Sequence, residues 1–374
     1  MGLNTSIRAA RSVDRIVGSA DTAATTVHLV RDRGAEPQVR PASRYHGDEA
    51  GAPDLLDFAV NVRHAVPPDW LRLRLADRLT DLAGYPSAAD RTAAVAAVAS
   101  RHGVPEDHVL LLAGGSEGFS LLPALQPGLA ALIAPSFTEP EAVLAAAGIP
   151  LRQVVLPPPF RLRDAAIPCS ADLVVVGNPT NPTGVLHPRD SVLDLRRPDR
   201  LVVVDEAFAD AVPEEPESVA GLCLPDLLVL RSLTKTWSLA GLRVGYALGA
   251  PAVLARLAAA RPHWPLGTLQ LEAITACCAP AAVEEATAGA HEVSRLRTQM
   301  TAALRGLGLV VIEGHAPFVT FAVPDGVLMR KRLQAQGIAV RRCDTFVGLT
   351  PDHLRAAVRP EWPVLVAAVA EVLR

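Results

Sequence analysis

Lysine is the residue this chain does almost without. Of 374 residues and 36 basic side chains, only Lys235 and Lys331 are lysines; the rest are arginine. Arginine stays protonated in proteins, whereas a lysine amine can be tuned into a nucleophile or a Schiff-base former. Any amine chemistry is therefore confined to two positions. Lys331 stands in Met329-Arg-Lys-Arg332, a basic run that predicts a solvated helix start. Lys235, flanked by hydroxyls at Ser232, Thr234 and Ser238, is the better candidate.

Other scarcities exclude whole classes of function. The formal net charge is only -3 and the arginines are dispersed, so no nucleic-acid footprint is expected. No apolar run reaches the ~18 residues of a membrane helix. Five cysteines (Cys169, Cys223, Cys277, Cys278 and Cys343) are scattered and odd in number, which predicts reduced thiols in a cytoplasm rather than a disulfide framework. The ten histidines form no His-x-x-x-His pair beside a carboxylate, and no metal is expected. Met1-Gly-Leu-Asn-Thr-Ser6 fits a loose myristoylation pattern, but no polybasic or second lipid signal follows it. Residues 1–40 lack periodicity and predict a poorly ordered extension.

What is present is a regular alternation. Apolar runs at Val109–Ala113, Ala130–Ala134, Leu173–Gly177, Leu201–Asp205 and Leu227–Arg231 are interleaved with helical stretches such as Ala88–Arg101 and Glu139–Ala147. Continuous apolar strands separated by helices predict an α/β fold with a mainly parallel sheet covered on both faces. After about residue 265 the pattern changes. Long helices are expected over Leu269–Val293 and Ser294–Leu307. Strands follow at 309–312, 318–323, 338–342 and 354–359, with helices at Val327–Gln336 and Trp362–Leu373. The expected organisation is a large domain over 76–265 and a smaller α+β domain made of 41–75 and 266–374.

Ligands of parallel sheets bind beyond the carboxyl ends of the strands, and the informative residues stand there. Gly114-Gly-Ser-Glu-Gly118 follows a strand and opens a helix, so the backbone N–H groups of Ser116 and Glu117 could hold a phosphate; a plain strand–helix turn fits equally well. Gly177-Asn-Pro-Thr-Asn-Pro-Thr-Gly184 is a loop of fixed shape that presents Asn178 and Asn181. Asp205-Glu-Ala-Phe208 ends a buried strand with two carboxylates that need partners, a cationic ring nitrogen or a core arginine. Arg243 follows Lys235 by eight residues. A lysine, an acid and donors for an anionic ring substituent and a phosphate are together what pyridoxal phosphate requires.

These motifs, in this order and spacing, resemble the class I/II aminotransferases of fold type I, and the resemblance runs from about Tyr45 to the C-terminus. It implies that Lys235 forms the Schiff base and that Asp205 pairs with the pyridine nitrogen. It implies Asn181 on the phenolic oxygen, and Ser232, Thr234 and Arg243 on the phosphate beside Ser116 and Glu117. Phe137 would stack on the ring, and Tyr85 would reach the cofactor phosphate of a second subunit, making a homodimer. Arg355 would grip the α-carboxylate of a small-molecule substrate, with Asn61 and Arg341 nearby; a bidentate fork suits that task.

Two branches of the family compete. The Asn-Pro-x-Asn-Pro-Thr-Gly and Leu-Ala-Gly-Leu-Arg pieces are similar to histidinol-phosphate aminotransferases. Tyr45-His-Gly47, Asp57-Phe-Ala-Val-Asn61, Asp205-Glu-Ala-Phe208, Val340-Arg-Arg-Cys343 and Phe346-x-Gly-Leu349 are also similar to threonine-phosphate decarboxylases of cobalamin synthesis. Phe208 replaces a tyrosine donor and tilts the expectation to the decarboxylase, with the aminotransferase as the alternative. A non-catalytic ligand-binding or regulatory protein on the same fold and a nucleotide-binding α/β protein are the outside readings. Arg63, Pro140 and Asp48 depart from the family pattern, all at positions that bear on the substrate rather than the cofactor.

Overall fold

The computed structural model describes residues 54–374. The expected extension over 1–40, the Met1–Ser6 signal, Tyr45-His-Gly47 and Asp48 lie outside them.

The chain enters as a short strand, β1 (Leu56–Asp57), and two helices, α1 (Asp69–Asp77) and α2 (Ala88–His102). Local chemistry sets the ends of α2. Ser87 caps it by accepting from the N–H of Asp90 at 3.0 Å, and Gly103 leaves it with φ +65°. Then come β2 (Val109–Leu112), α3 (Gly115–Leu121), β3 (Ala130–Ala134), α4 (Glu139–Ala146), β4 (Leu151–Val155), β5 (Leu173–Gly177) and α5 (Arg189–Leu193). The central part closes with β6 (Leu201–Asp205), β7 (Leu227–Ser232), β8 (Gly245–Gly249) and α6 (Pro251–Ala259).

Seven of these strands form one sheet in the order β2-β8-β7-β6-β5-β3-β4, parallel from β7 to β4. Only β8 runs against its neighbours. Alternate residues feed opposite faces. Val174, Val176, Val202 and Val204 enter one apolar cluster, and Leu173, Val175, Val203 and Leu228 enter another. Burying each such side chain stabilises the fold by about 1.5–3 kcal/mol before entropy is counted.

The remaining elements are α7 (Thr268–Cys277), α8 (Pro280–Gly306), β9 (Val310–Val311), β10 (Phe318–Ala322), α9 (Gly326–Ala335), β11 (Ile338–Ala339), β12 (Arg341–Arg342), β13 (His353–Ala357) and α10 (Trp362–Leu373). A four-stranded sheet runs β12-β13-β10-β9, and β1 pairs in parallel with β11. Phe58 packs into the cluster of Met300, Phe321, Leu333, Leu354 and Leu365, so the segment after β1 shares a core with the C-terminal elements.

Two expectations are corrected. The long helices divide at 278–280, not at 293, because Ala279 is extended (ψ 147°) and Pro280 starts a new helix. The expected strand over 338–342 splits at Val340 into two short pieces that pair with different partners, β1 and β13.

Candidate active site

The carboxyl ends of the parallel strands bring the sequence-selected residues to one edge. β5 delivers the loop carrying Asn181, β6 ends on Asp205, and β7 ends on Ser232 with Thr234 and Lys235 beyond it. The reversed strand β8 adds what no parallel strand could. Its start lies at the same edge, so Arg243 arrives beside the turn after β2. Gly245 pairs with both Leu112 and Ser232.

The anion-facing corner is built from short polar side chains. Arg243 Nη2 donates to Ser116 Oγ at 2.8 Å, and Ser232 Oγ lies 2.7 Å from Thr234 Oγ1. Arg243 adopts φ +62°, a left-handed conformation unusual for a non-glycine residue. Gln270 holds its carbonyl at 2.9 Å. Glu117 turns its carboxylate away, onto both Nε and Nη2 of Arg261 at 2.9 Å. The same carboxylate accepts from the N–H of Ala113, and the Glu117 N–H donates to Gly114 O at 3.1 Å.

The two carboxylates at the end of β6 have separate fates. Asp205 Oδ1 accepts from the N–H of Ala207 at 3.0 Å, and burial pushes its carboxyl up to about 6, Glu206 adding to the rise. Glu206 takes the core arginine. It accepts from Arg231 Nη1 at 3.0 Å, from Ser218 Oγ at 2.6 Å and from the N–H of Val219 at 2.7 Å. Arg231 also binds Asp210 and Glu215, and Arg101 reaches Asp210 at 2.9 Å. Burial opposes the charge on Asp210, but Arg101 and Arg231 hold its carboxyl down to about 2. The expected core arginine is thus Arg231, on Glu206; Asp210 and Arg101 gave no individual signal in sequence. An arginine inside an apolar strand, Arg231, was the available clue.

The Asn-Pro loop also divides its labour. Asn178 clamps the backbone of His187, donating to its carbonyl at 3.1 Å and accepting from its N–H at 2.7 Å. Asn178 is therefore a loop staple, while Asn181 Oδ1 accepts from Arg355 Nη1. Arg355 is buried on β13 and donates to Ala59 O at 2.9 Å, with its guanidinium over the Phe318 ring. With the Asn61 amide oxygen turned towards it, both Nη atoms reach Asn61 at 3.2 Å. Burial pulls Arg355 down to about 10, and its Nε has no hydrogen-bond partner among the described residues. A buried cation in that state suits an anionic ligand. Arg341, its neighbour across the ladder, donates to Arg342 O at 2.7 Å and Thr345 Oγ1 at 2.8 Å.

Three further positions complete the picture. Phe137 follows β3 and lies 6.0 Å from Phe119. Phe208 packs edge-on against Phe318 at 5.1 Å. Pro140 occupies the first turn of α4, where a missing N–H leaves no helix bond unmade. Tyr85 is not brought to this edge: it is 76% exposed and stacks on Trp264 at 4.1 Å.

The model of aminotransferases of class I and II matches residues 53–364. The chain belongs to that family. It is thus an enzyme of the pyridoxal-phosphate-dependent aminotransferase group. A protein of Mycobacterium bovis named histidinol-phosphate aminotransferase is 63% identical over 88% of this chain and 91% of its own length. The threonine-phosphate decarboxylase of Salmonella typhimurium is 30% identical over 86% and 92%. In fold, this aminotransferase superposes on the histidinol-phosphate aminotransferase of Clostridium acetobutylicum with a TM-score of 0.76, 21% identity and 84% and 98% coverage.

The residues present fit the cofactor. An acid held near pH 6 by burial suits a protonated ring nitrogen, and the Ser116–Arg243 and Ser232–Thr234 pairs suit a phosphate. The expectation that favoured threonine-phosphate decarboxylase is overturned by the 63% against 30% identities. Its physical weakness lay in Phe208. That ring belongs to a small apolar cluster with Ala316 and Phe318, which describes the floor of the site and not the bond that breaks. The non-catalytic and nucleotide-binding readings fall with family membership.

Proposed function

We propose that this enzyme transfers an amino group between a small phosphorylated amino compound of the histidinol-phosphate kind and 2-oxoglutarate. The observation that carries this reading is the 63% identity to the mycobacterial protein of that name, spread over nearly its whole length. The geometry supports it with two buried guanidinium groups on facing strands, Arg341 and Arg355, for the anionic ends of the substrates.

Pyridoxal phosphate supplies the electron sink that makes a proton on the substrate α-carbon removable. Lys235 carries the amine that moves that proton. Asp205 holds the ring nitrogen charged, and Asn181 serves the phenolic oxygen. Ser116, Ser232, Thr234 and Arg243 would hold the phosphate, joined by the Glu117 N–H once it leaves Gly114 O, and Phe137 would cover the ring face. Arg355, fixed by Asn181 and Asn61, would hold the substrate carboxylate, and a carboxylate held by that guanidinium favours loss of the proton over loss of carbon dioxide. Tyr85 serves the cofactor phosphate of a second copy in a homodimer; its exposure on the single chain supports this. The reading keeps 76–265 as the cofactor-binding domain and, of the expected 41–75 and 266–374, puts the described residues 54–75 with 266–374 in the smaller one, supported by the seat of Phe58 in the C-terminal core.

Purified protein given histidinol phosphate and 2-oxoglutarate is expected to form glutamate stoichiometrically. Carbon dioxide release from threonine phosphate, with no glutamate formed in the first assay, is the result that defeats the proposal.

A further inference from the structure

Arg63, one of the departures from the family pattern, lies against a glycine that its helix would not otherwise favour. α8 runs 27 residues, and Gly289 is buried in its interior. Glycine there is a poorer helix former than alanine. The reason is local: a Cβ built on Gly289 would stand 1.8–2.0 Å from Nη1, Nη2 and Cζ of Arg63. The guanidinium occupies the space of the missing side chain. Glu285 and Glu292, one turn before and one turn after on the same face, attract it, while burial works against its charge.

The backbone of this segment does the rest. The N–H of Arg63 donates to the carbonyl of Lys235 at 3.1 Å, and the N–H of His64 donates to Ser238 Oγ at 3.0 Å. Two residues upstream, Asn61 faces Arg355. Arg63, Lys235, Thr236, Asn61, Phe208 and Gly289 line one small cavity of about 30 Å³.

We propose that Arg63, seated on Gly289, is a positioning residue: it locks the 61–64 segment between α8 and the Lys235 turn. That lock sets where the amine emerges and where Asn61 meets Arg355. The inference rests on the reading of Lys235 as the catalytic amine.

The test is a double-mutant cycle of Arg63→Ala and Gly289→Ala, with Arg63→Lys as the conservative variant. Thermal unfolding of the cofactor-free proteins reports on the seat. KM, kcat and the pH dependence of the bound cofactor's visible absorbance report on positioning. Gly289→Ala, which should help a helix, is expected to lower the unfolding midpoint and raise KM for the amino substrate roughly tenfold, with a smaller change in kcat. It should also shift the pH midpoint of the absorbance. In the Arg63→Ala background the same alanine should be neutral or stabilising. Arg63→Lys should recover part of the KM loss. Failure of Gly289→Ala to fold alone, with folding restored in the double variant, supports the seat equally. Additive effects in the double variant, or a Gly289→Ala enzyme with unchanged KM and absorbance titration, overturn the proposal. Should the wild type show no cofactor absorbance at all, the reading of Lys235 fails instead, and the unfolding cycle still decides the seat.

Discussion

Asp205 ends β6 at a place where burial disfavours its charge, and the sign of its effect on stability follows. Its carboxyl is raised to about 6, above the ordinary 3.8, so between these values the folded cofactor-free protein binds a proton that the unfolded chain has released. Stability should fall as pH rises through that window, by about 2–3 kcal/mol in all. Asp205→Asn removes the penalty. The cofactor-free variant is expected to be more stable than wild type by that amount near pH 7, the difference vanishing below about pH 4, as urea unfolding at each pH would show. The loaded enzyme should respond in the opposite direction, because an amide cannot hold the ring nitrogen charged. Turnover should drop by at least roughly a hundredfold. Lys235→Ala is expected to abolish both turnover and the visible absorbance of the bound cofactor. Lys331 is the comparison: Lys331→Ala, on the helical face of α9, should leave both unchanged.

Among the elements, β6 shows what a sequence reveals and β8 what it withholds. Leu201–Asp205 and Leu173–Gly177 were legible because a strand buried on both faces is apolar throughout. The edge strand β4 was not. Its residues Leu151-Arg-Gln-Val-Val155 leave only Val154 buried, so no apolar run announced it. The strand β8, Gly245-Tyr-Ala-Leu-Gly249, was noticed as part of a motif but not as a strand, since two glycines frame it. At the site, Asp205, Asn181 and Arg355 were legible from their motifs. The buried ion network was not, because its members come from five places in the chain and only folding assembles them. Gly245 itself is required by packing. A Cβ there would meet Arg231 O at 2.5 Å and Gly115 N at 2.9 Å, both backbone atoms with little room to yield. Gly245→Ala is expected to cost about 1–3 kcal/mol in urea unfolding and to weaken pyridoxal phosphate binding, since it pushes Ser116 away from Ser232. Arg231→Met leaves Glu206 buried without a counter-charge and Asp210 and Glu215 with Arg101 alone, and should cost about 3–5 kcal/mol.

Across the whole molecule, the residue that does not fit one chain is Tyr85. Its neighbours on that surface are apolar and exposed as well: Leu79, Leu82 and Trp264 stand open. Exposed apolar surface of this kind fits the proposed homodimer, in which a second copy would present an identical patch to meet it. If Tyr85 serves the partner's cofactor, each active site draws on two chains, and two different defects can be separated by mixing. Lys235→Ala removes the amine from its own site but leaves Tyr85 for its partner. Tyr85→Ala keeps the amine but fails its partner's phosphate. Each homodimer should therefore be impaired, Lys235→Ala completely and Tyr85→Ala through weakened cofactor binding. Unfolding the two together and refolding them as a mixture should give heterodimers in which one site has both the amine and the tyrosine. Random pairing predicts that roughly a quarter of all sites regain full function at limiting cofactor. Activity equal to the average of the two unmixed variants would mean that Tyr85 acts within its own chain or not at all.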